Sequence, residues 1–374
     1  MNVPKLRFKE FNDEWCKEYV GNLCSIQTGK SNTQDKTDDG IYPFYVRSPI
    51  IEKSHKFIFD TEAVLTVGDG VGVGKVFHYI NGKFDCHQRV YMMNNFNKIT
   101  AKYFYYIFSR DFDKRVMKMT AKTSVDSVRY EMIDKMQIFY PTVLEQNKIS
   151  RTLELLDKKI ELQSKKIEDL KLFKSSQIIN FFNKNNFAEV YIKNIGFFQS
   201  GNSLSKDCLT SSGVPIILYG DLYTKYNEVI KKVEQYTNDN KKYVKSKQNQ
   251  IIFPTSTTVN SLSLISPSSI NLDGIIYGGD ILILNLNKDV NADFLSYEIN
   301  HYKKKEFSKI AQGSTIIHIH AEDLLNCKIA LSNIVLQDKF ALTFNKLNQK
   351  IELENNKLNK LQKLKKGLMQ SMFV

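Results

Sequence analysis

The sequence has little of what a secreted, membrane-spanning or metal-stapled protein needs. Its five cysteines (Cys16, Cys24, Cys86, Cys208 and Cys327) are an odd number, scattered, and no two sit at CxxC spacing. That argues against a zinc ribbon or a dithiol redox motif and fits a reduced cytosol. The opening stretch, MNVPKLRFKEFNDEWCKEY, is charged throughout and lacks the apolar core of a secretory signal. No run approaches ~18 uninterrupted apolar residues, so no membrane span is expected. The expectation is a soluble, cytoplasmic protein.

Catalytic patterns are missing as well. Gly68, Gly70, Gly72 and Gly74 precede Lys75, but the first glycine of a Walker loop would have to stand at Asp69, and Val76 replaces the magnesium-binding hydroxyl. GxGxxG spacing is absent too. The glycines are read as a tight turn using positive φ, or as a loop approaching a ligand closely with Lys75 beside it. No Asn-Pro-Pro-aromatic or Asp-Pro-Pro-aromatic tetrapeptide of an adenine methyltransferase occurs. Asp157-Lys158-Lys159 and Asp169-Leu170-Lys171 resemble nuclease triplets, but both lie in a helical pattern and read as solvated surface charges. His318 and His320 alternate with Ile317 and Ile319 as on one strand face, and no third metal ligand accompanies them. The chain alone shows no catalytic site, metal or cofactor.

What is present is a long, aromatic, basic chain that repeats itself. The 374 residues include 24 Phe and 19 Tyr, are 42% hydrophobic and carry a net charge of +13, enough to build cores and to favour an acidic partner. Lys159-Ile160-Glu161-Leu162 recurs 191 residues later as Lys350-Ile351-Glu352-Leu353. At the same offset, Tyr103 to Ile107 aligns with Phe294 to Glu298, and Thr120 to Ile138 with Ala311 to Ile329. Nearer the start the offset is 172, matching Gly29-Lys30-Ser31 with Gly201-Asn202-Ser203 and Pro43 with Pro215. The second copy therefore carries a net insertion, placed at Lys231 to Lys247. Each copy reads as a mixed α/β (α+β) globular piece followed by a helix. Strands are expected at Ala63–Val67, Gln250–Phe253 and Asp280–Leu284, and aromatic helices near Tyr103–Phe108 and Phe294–Tyr302.

The helices show a heptad seam twice, in step with the repeat. Ile149, Leu153, Leu156, Ile160, Ile167 and Leu170 form the first; Phe344, Leu347, Ile351, Leu358 and Leu361 form the second. One polar interruption falls at the same step in each, Gln163 and Glu354. An antiparallel pair using every apolar position would set Leu153 against Leu361 and Leu156 against Leu358, bringing Gln163 and Glu354 into adjacent layers. The expected division is a globular domain over 1–144, a helix over 145–184, a second globular domain over 185–336 and a second helix over 337–374. These four segments carry net charges of +4, +3, +1 and +5. Most of the basic surplus thus sits on the helices, leaving the globular pieces under-supplied for gripping a phosphate backbone unaided.

Pro141-Thr142-Val143-Leu144-Glu145-Gln146-Asn147-Lys148-Ile149, continued by Leu153, Leu156-Asp157 and Ile160, resembles the start of the conserved helix in specificity subunits of type I restriction–modification enzymes. Gly74-Lys75-Val76 and Gln312-Gly313-Ser314-Thr315 are similar to patterns of that family. The second helix departs from the pattern, reading Leu336-Gln337 where the first has Glu145-Gln146, and Lys122 stands where the second copy has Gly313. The resemblance implies two target-recognition domains separated by two long antiparallel coiled-coil helices. It implies no chemistry in this chain. Each domain would read half of a split DNA site, and the helices would hold two methyltransferase subunits that use S-adenosylmethionine. Two ATP- and Mg-dependent restriction subunits would complete a defence against foreign DNA.

The seam from 149 to 173 spans about 37 Å at 1.5 Å per residue, close to the 34–36 Å of one DNA turn. Candidate base-reading residues beside expected turns are Arg47, Lys75, His87, Gln88 and Arg89 in the first copy. In the second they are Tyr219, Asp221, Thr255, Ser256, Thr257, His318 and His320. Lys231, Lys232, Lys241, Lys242, Lys245 and Lys247 are candidates for phosphate contacts. A fused restriction–modification enzyme, a stand-alone DNA-binding regulator and a coiled-coil scaffold without nucleic acid are the competing readings. The first lacks motifs, the second lacks charge on its globular pieces, and the third leaves the duplicated domains unexplained.

Overall fold

The computed structural model describes residues 3–70, 72–119, 127–238 and 242–374. The chain forms two compact units: residues 1–164 with 356–374, and residues 165–355. Each long helix, Val143–Lys184 and Ile334–Ser371, contributes residues to both.

In the first unit a six-stranded sheet has the order Ser25–Thr28, Val90–Asn94, Phe59–Val67, Phe77–Cys86, Tyr42–Tyr45, Ile51–Ser54. All neighbours are antiparallel except Tyr42–Tyr45 beside Phe77–Cys86. Its core is dominated by one aromatic helix, Ala101–Met119. Spacing of four puts Phe104, Phe108 and Phe112 on one face, where they stack at 5.1 and 4.4 Å. Trp15, Ile149, Leu153, Met372 and Phe373 complete this core. The end of the chain is therefore interior material: Leu6 N–H donates to Ser371 O at 2.8 Å, and Arg110 donates to Val374 O at 2.7 Å.

In the second unit a five-stranded sheet runs Gly196–Ser200, Ile281–Leu286, Gln250–Pro254, Ser268–Ile270, Val229–Ile230, beside a four-stranded one containing Val214–Ile217 and Ile276–Tyr277. The expected aromatic helix is broken here: Ala292–Tyr297 is α-helical, Glu298–Tyr302 is a π-helix and Lys304–Phe307 is α-helical again.

The repeat is a repeat of hydrogen bonds. Gly29 N donates to Val90 O, and Gly201 N to Ile281 O; His87 N donates to Tyr45 O, and Gly278 N to Ile217 O. A Cβ on Gly29 would lie 2.1 Å from Cys86 O, and one on Gly201 2.2 Å from Gly278 O, so only glycine fits either place. Gln146 accepts from Thr100 N and donates to Lys98 O and Pro141 O. Gln337 repeats all three bonds, with Asn291 N, Asp289 O and Ser332 O. The departure at the second helix spares this glutamine: Ser332, Leu336 and Phe340 stand where the first has Pro141, Glu145 and Ile149. Glu145 is buried under a two-point pair with Arg7, both bonds 2.8 Å, an N-terminal partner specific to the first unit. The extra length of the second copy is not confined to Lys231–Lys247. Gly68 corresponds to Thr255 and Cys86 to Tyr277, so most of it lies between Ile217 and Thr255 and the rest between Ser256 and Ile276.

Along the helices the expected seam is the buried one. Ile149, Leu153, Leu156, Ile167, Phe344 and Ile351 are buried, while Ile160, Gln163, Leu170, Leu347, Leu358 and Leu361 are half-buried. Within the second unit the two helical segments are antiparallel: Lys166 meets Glu354 at 2.9 Å, Lys174 meets Asn348 at 2.9 Å, and Phe181 packs on Phe340 at 4.5 Å. Within the first, Asp157 pairs with Lys365. The expected register would have put Asp157 opposite Lys357 and Lys174 opposite Phe340. The true register is displaced by about one heptad, because a seam that repeats every seven residues looks the same after such a slip and the charged pairs decide between the two. Asp157 also accepts from Tyr106 Oη at 2.9 Å, so its nuclease-like triplet is a docking element.

Candidate nucleic-acid interface

In the first unit the sheet brings three separated segments to one edge. Gly68 N donates to Arg89 O, Val128 N donates to Gly68 O, and Asp69 bridges Ser127. This places Asp69 between two guanidiniums: Arg89 Nη1 lies 2.8 Å from its carboxylate and Arg47 Nη1 lies 3.3 Å away. Asp69 is mostly covered, whereas Arg89 and Arg47 are 62% and 46% exposed. A shielded acid thus orients two donor groups that point outward.

His87, by contrast, faces inward. It is buried, and its Nδ1 accepts from Arg89 N–H at 3.0 Å. Burial and the nearby Arg47 lower its pKa, so the ring stays neutral and supports the turn. Gln88 is exposed and donates to Asn32 Oδ1 at 2.6 Å. Lys75 is exposed at the end of the glycine run, where Gly70 and Gly74 hold φ of 80° and 71°, as the tight-turn reading expects.

The second unit builds the same edge with other residues. Thr255 N donates to Asp280 O and Ile319 N to Thr255 O, while Ser256 bridges His318. His318 and His320 are exposed on either side of buried Ile319. Tyr219 is exposed, and Thr255 is half-buried. Ser256 and Thr257 are buried: Ser256 Oγ donates to Asp280 at 3.3 Å, its carbonyl accepts from Tyr223 Oη, and Thr257 Oγ1 accepts from Val259 N. Asp221 is buried as well, accepting from Leu218 N at 3.1 Å and pairing with Lys225. Tyr219, Thr255 and Asp280 line an open cleft of about 870 Å³ with the loop from Ser200 to Asp207.

The lysine-rich segment is sewn into the sheet: Ile216 N donates to Gln235 O, Val244 N to Asn202 Oδ1, and Lys247 N to Gln250 Oε1. Lys231, Lys232, Lys242, Lys245 and Lys247 are exposed, Lys232 pairing with Glu234 at 2.8 Å. Lys241 lies outside the described residues, as do Lys122 and the rest of the stretch 120–126. Among the described residues no group of three or more His, Cys, Asp or Glu could hold a metal ion, and no helix is long and apolar enough to cross a membrane. Sequence reasoning missed Asp69 and Asp280; the first is legible only once Arg47 and Arg89 are known to converge on it.

The chain is thus a duplicated α/β unit with polar side chains along one sheet edge in each copy, and each long helix contributes to both units. Residues 12–172 match the family model of the type I restriction modification DNA specificity domain. The specificity subunit of the type I restriction enzyme EcoDI from Escherichia coli is 25% identical over 157 residues. That match covers 42% of this chain and 34% of the relative, so it spans about a third of the relative's length. Among solved structures, the S subunit of a type I restriction–modification system from M. genitalium covers 100% of this chain and 99% of its own, with a TM-score of 0.67 and 17% identity. A chain from a structure describing complex assembly and conformational transition of the type I R-M system covers 97% of this chain and 98% of its own, with a TM-score of 0.58 and 14% identity. Residues 12–172, less than half of this chain, are thus similar to the type I restriction–modification DNA specificity domain. The whole chain has the fold of a specificity subunit, as the sequence resemblance implied.

Proposed function

We propose that this chain is a non-catalytic subunit that reads a bipartite, asymmetric DNA site, with residues 1–144 reading one half and 185–336 the other. The supporting observation is the repeated edge: one set of backbone bonds presents Arg89, Asp69 and Ser127 in one unit and Asp280, Ser256 and His318 in the other. Equal scaffolds carrying unequal side chains suit two half-sites of different sequence. The exposed lysines from Lys231 to Lys247 supply phosphate contacts independent of sequence. The segments 145–184 and 337–374 hold two methyltransferase subunits, and two restriction subunits join them. S-adenosylmethionine, ATP and Mg belong to those partners.

Co-expression with a methyltransferase subunit and mapping of methylated adenines test this reading. Exchanging residues 1–144 for those of a relative should change one half of the methylated motif and leave the other. A change in both halves, or no motif at all, would refute the modular reading.

A further inference from the structure

The edge residue at the repeat-equivalent position has opposite hydrogen-bonding polarity in the two units. Arg89 receives Gly68 N–H on its carbonyl, and Asp280 receives Thr255 N–H on its carbonyl in the same way. Arg89 is a pure donor and Asp280 an acceptor. Both are exposed. We propose that Asp280 is the base-reading acceptor of the second unit, taking the exocyclic amino group of a cytosine in the major groove, while Arg89 takes a guanine in the other half-site. This inference rests on the DNA-reading function proposed above.

Three observations support the assignment. Asp280 stands at φ 56° in the bend just before Ile281–Leu286, a left-handed conformation that Asp tolerates better than most non-glycine residues. Its carboxylate accepts a 3.3 Å bond from buried Ser256 Oγ, much as Asp69 anchors Arg89. It also lines the open cleft with Tyr219 and Thr255, so a base edge has room to approach. The chemistry selects the base. In the major groove cytosine presents only its N4 amino donor, which a carboxylate can accept. Adenine presents an N6 donor beside an N7 acceptor, and a carboxylate has no proton to offer N7. Guanine and thymine present acceptors that a carboxylate repels.

Asp280→Asn and Asp280→Gly test this in the full chain co-expressed with a methyltransferase subunit, with methylated motifs mapped genome-wide. Both replacements tolerate a positive φ, so a loss of folding does not obscure the readout, and circular dichroism checks it. Asn carries a donor as well as an acceptor, so Asp280→Asn should move one position of the second half-site from cytosine toward adenine. Asp280→Gly should relax that position to any base, with discrimination falling roughly tenfold or more. The first half-site should be unchanged in both, and Arg89→Ala should relax a guanine there and nothing in the second. A second half-site unaltered by both Asp280 variants would overturn this inference while leaving the functional reading intact. A wild-type chain that directs no bipartite motif would overturn both.

Discussion

Replacing Gln146 by Leu should destabilise the first unit selectively, and the size of the effect follows from three bonds. The Gln146 side chain is fully buried; it accepts from Thr100 N at 2.8 Å and donates to Lys98 O at 3.0 Å and Pro141 O at 2.9 Å. It thereby ties the start of the long helix to the loop before the aromatic helix. Leu keeps the approximate volume and loses every bond. Three backbone groups then go unpartnered at about 1 kcal/mol or more each, giving a loss of about 3–5 kcal/mol. At about 2–4 °C per kcal/mol for a unit of this size, Tm falls by roughly 6–20 °C. Trp15 is the single tryptophan and sits buried in the core of the first unit, edge-on to Tyr103 at 6.2 Å. Its fluorescence therefore reports that unit alone. Urea titrations followed by Trp15 emission should show the loss for Gln146→Leu, while Gln337→Leu should move the far-ultraviolet dichroism and leave the Trp15 midpoint nearly in place. A Gln146→Leu midpoint within about 1 kcal/mol of wild type would refute the reasoning.

Arg7→Ala strands a buried Glu145 carboxylate and should cost about 3 kcal/mol. Adding Glu145→Leu, which copies Leu336, should recover most of that, and a double-mutant cycle in urea measures it. Glu298 is fully buried, and burial raises its pKa to about 8 although it accepts from Ala330 N at 2.6 Å. A carboxyl whose folded pKa exceeds its unfolded one contributes stability below the unfolded value and loses it as pH rises through 8. Glu298→Gln should therefore flatten the stability profile of the second unit between about pH 5 and 9, and equal slopes in wild type and variant would refute this. Changing Lys231, Lys232, Lys242 and Lys245 to Gln should weaken binding to cognate and random DNA alike and flatten the salt dependence by up to about four charges; an unaltered slope would count against their phosphate role.

Much of this fold was legible because a repeat preserves its bonding residues. Gly29 and Gly201 recur because a Cβ there would strike a carbonyl, and Gln146 and Gln337 recur because each donates to two carbonyls while accepting one N–H. Heptad spacing located both helices and their buried faces. Register was not legible, because apolar periodicity is blind to a seven-residue slip, and the deciding contacts, Asp157 with Lys365 and Lys174 with Glu228 and Asn348, join residues that look like surface charges in sequence. Residue type alone placed His87, Asp221, Ser256 and Thr257 among the readers, yet each is buried with an internal hydrogen bond. Type does not reveal which way a side chain faces when its turn depends on strands tens of residues away.

The interior position of Met372 and Phe373 has a consequence for synthesis. The core around Trp15 and Tyr103 lacks two of its buried side chains until residues 372 and 373 have been made, after every residue of the second unit. A fragment ending before Met372 would keep its second unit's strands yet expose an aromatic cavity in its first. Proteolytic quality control could recognise such a fragment by that opening.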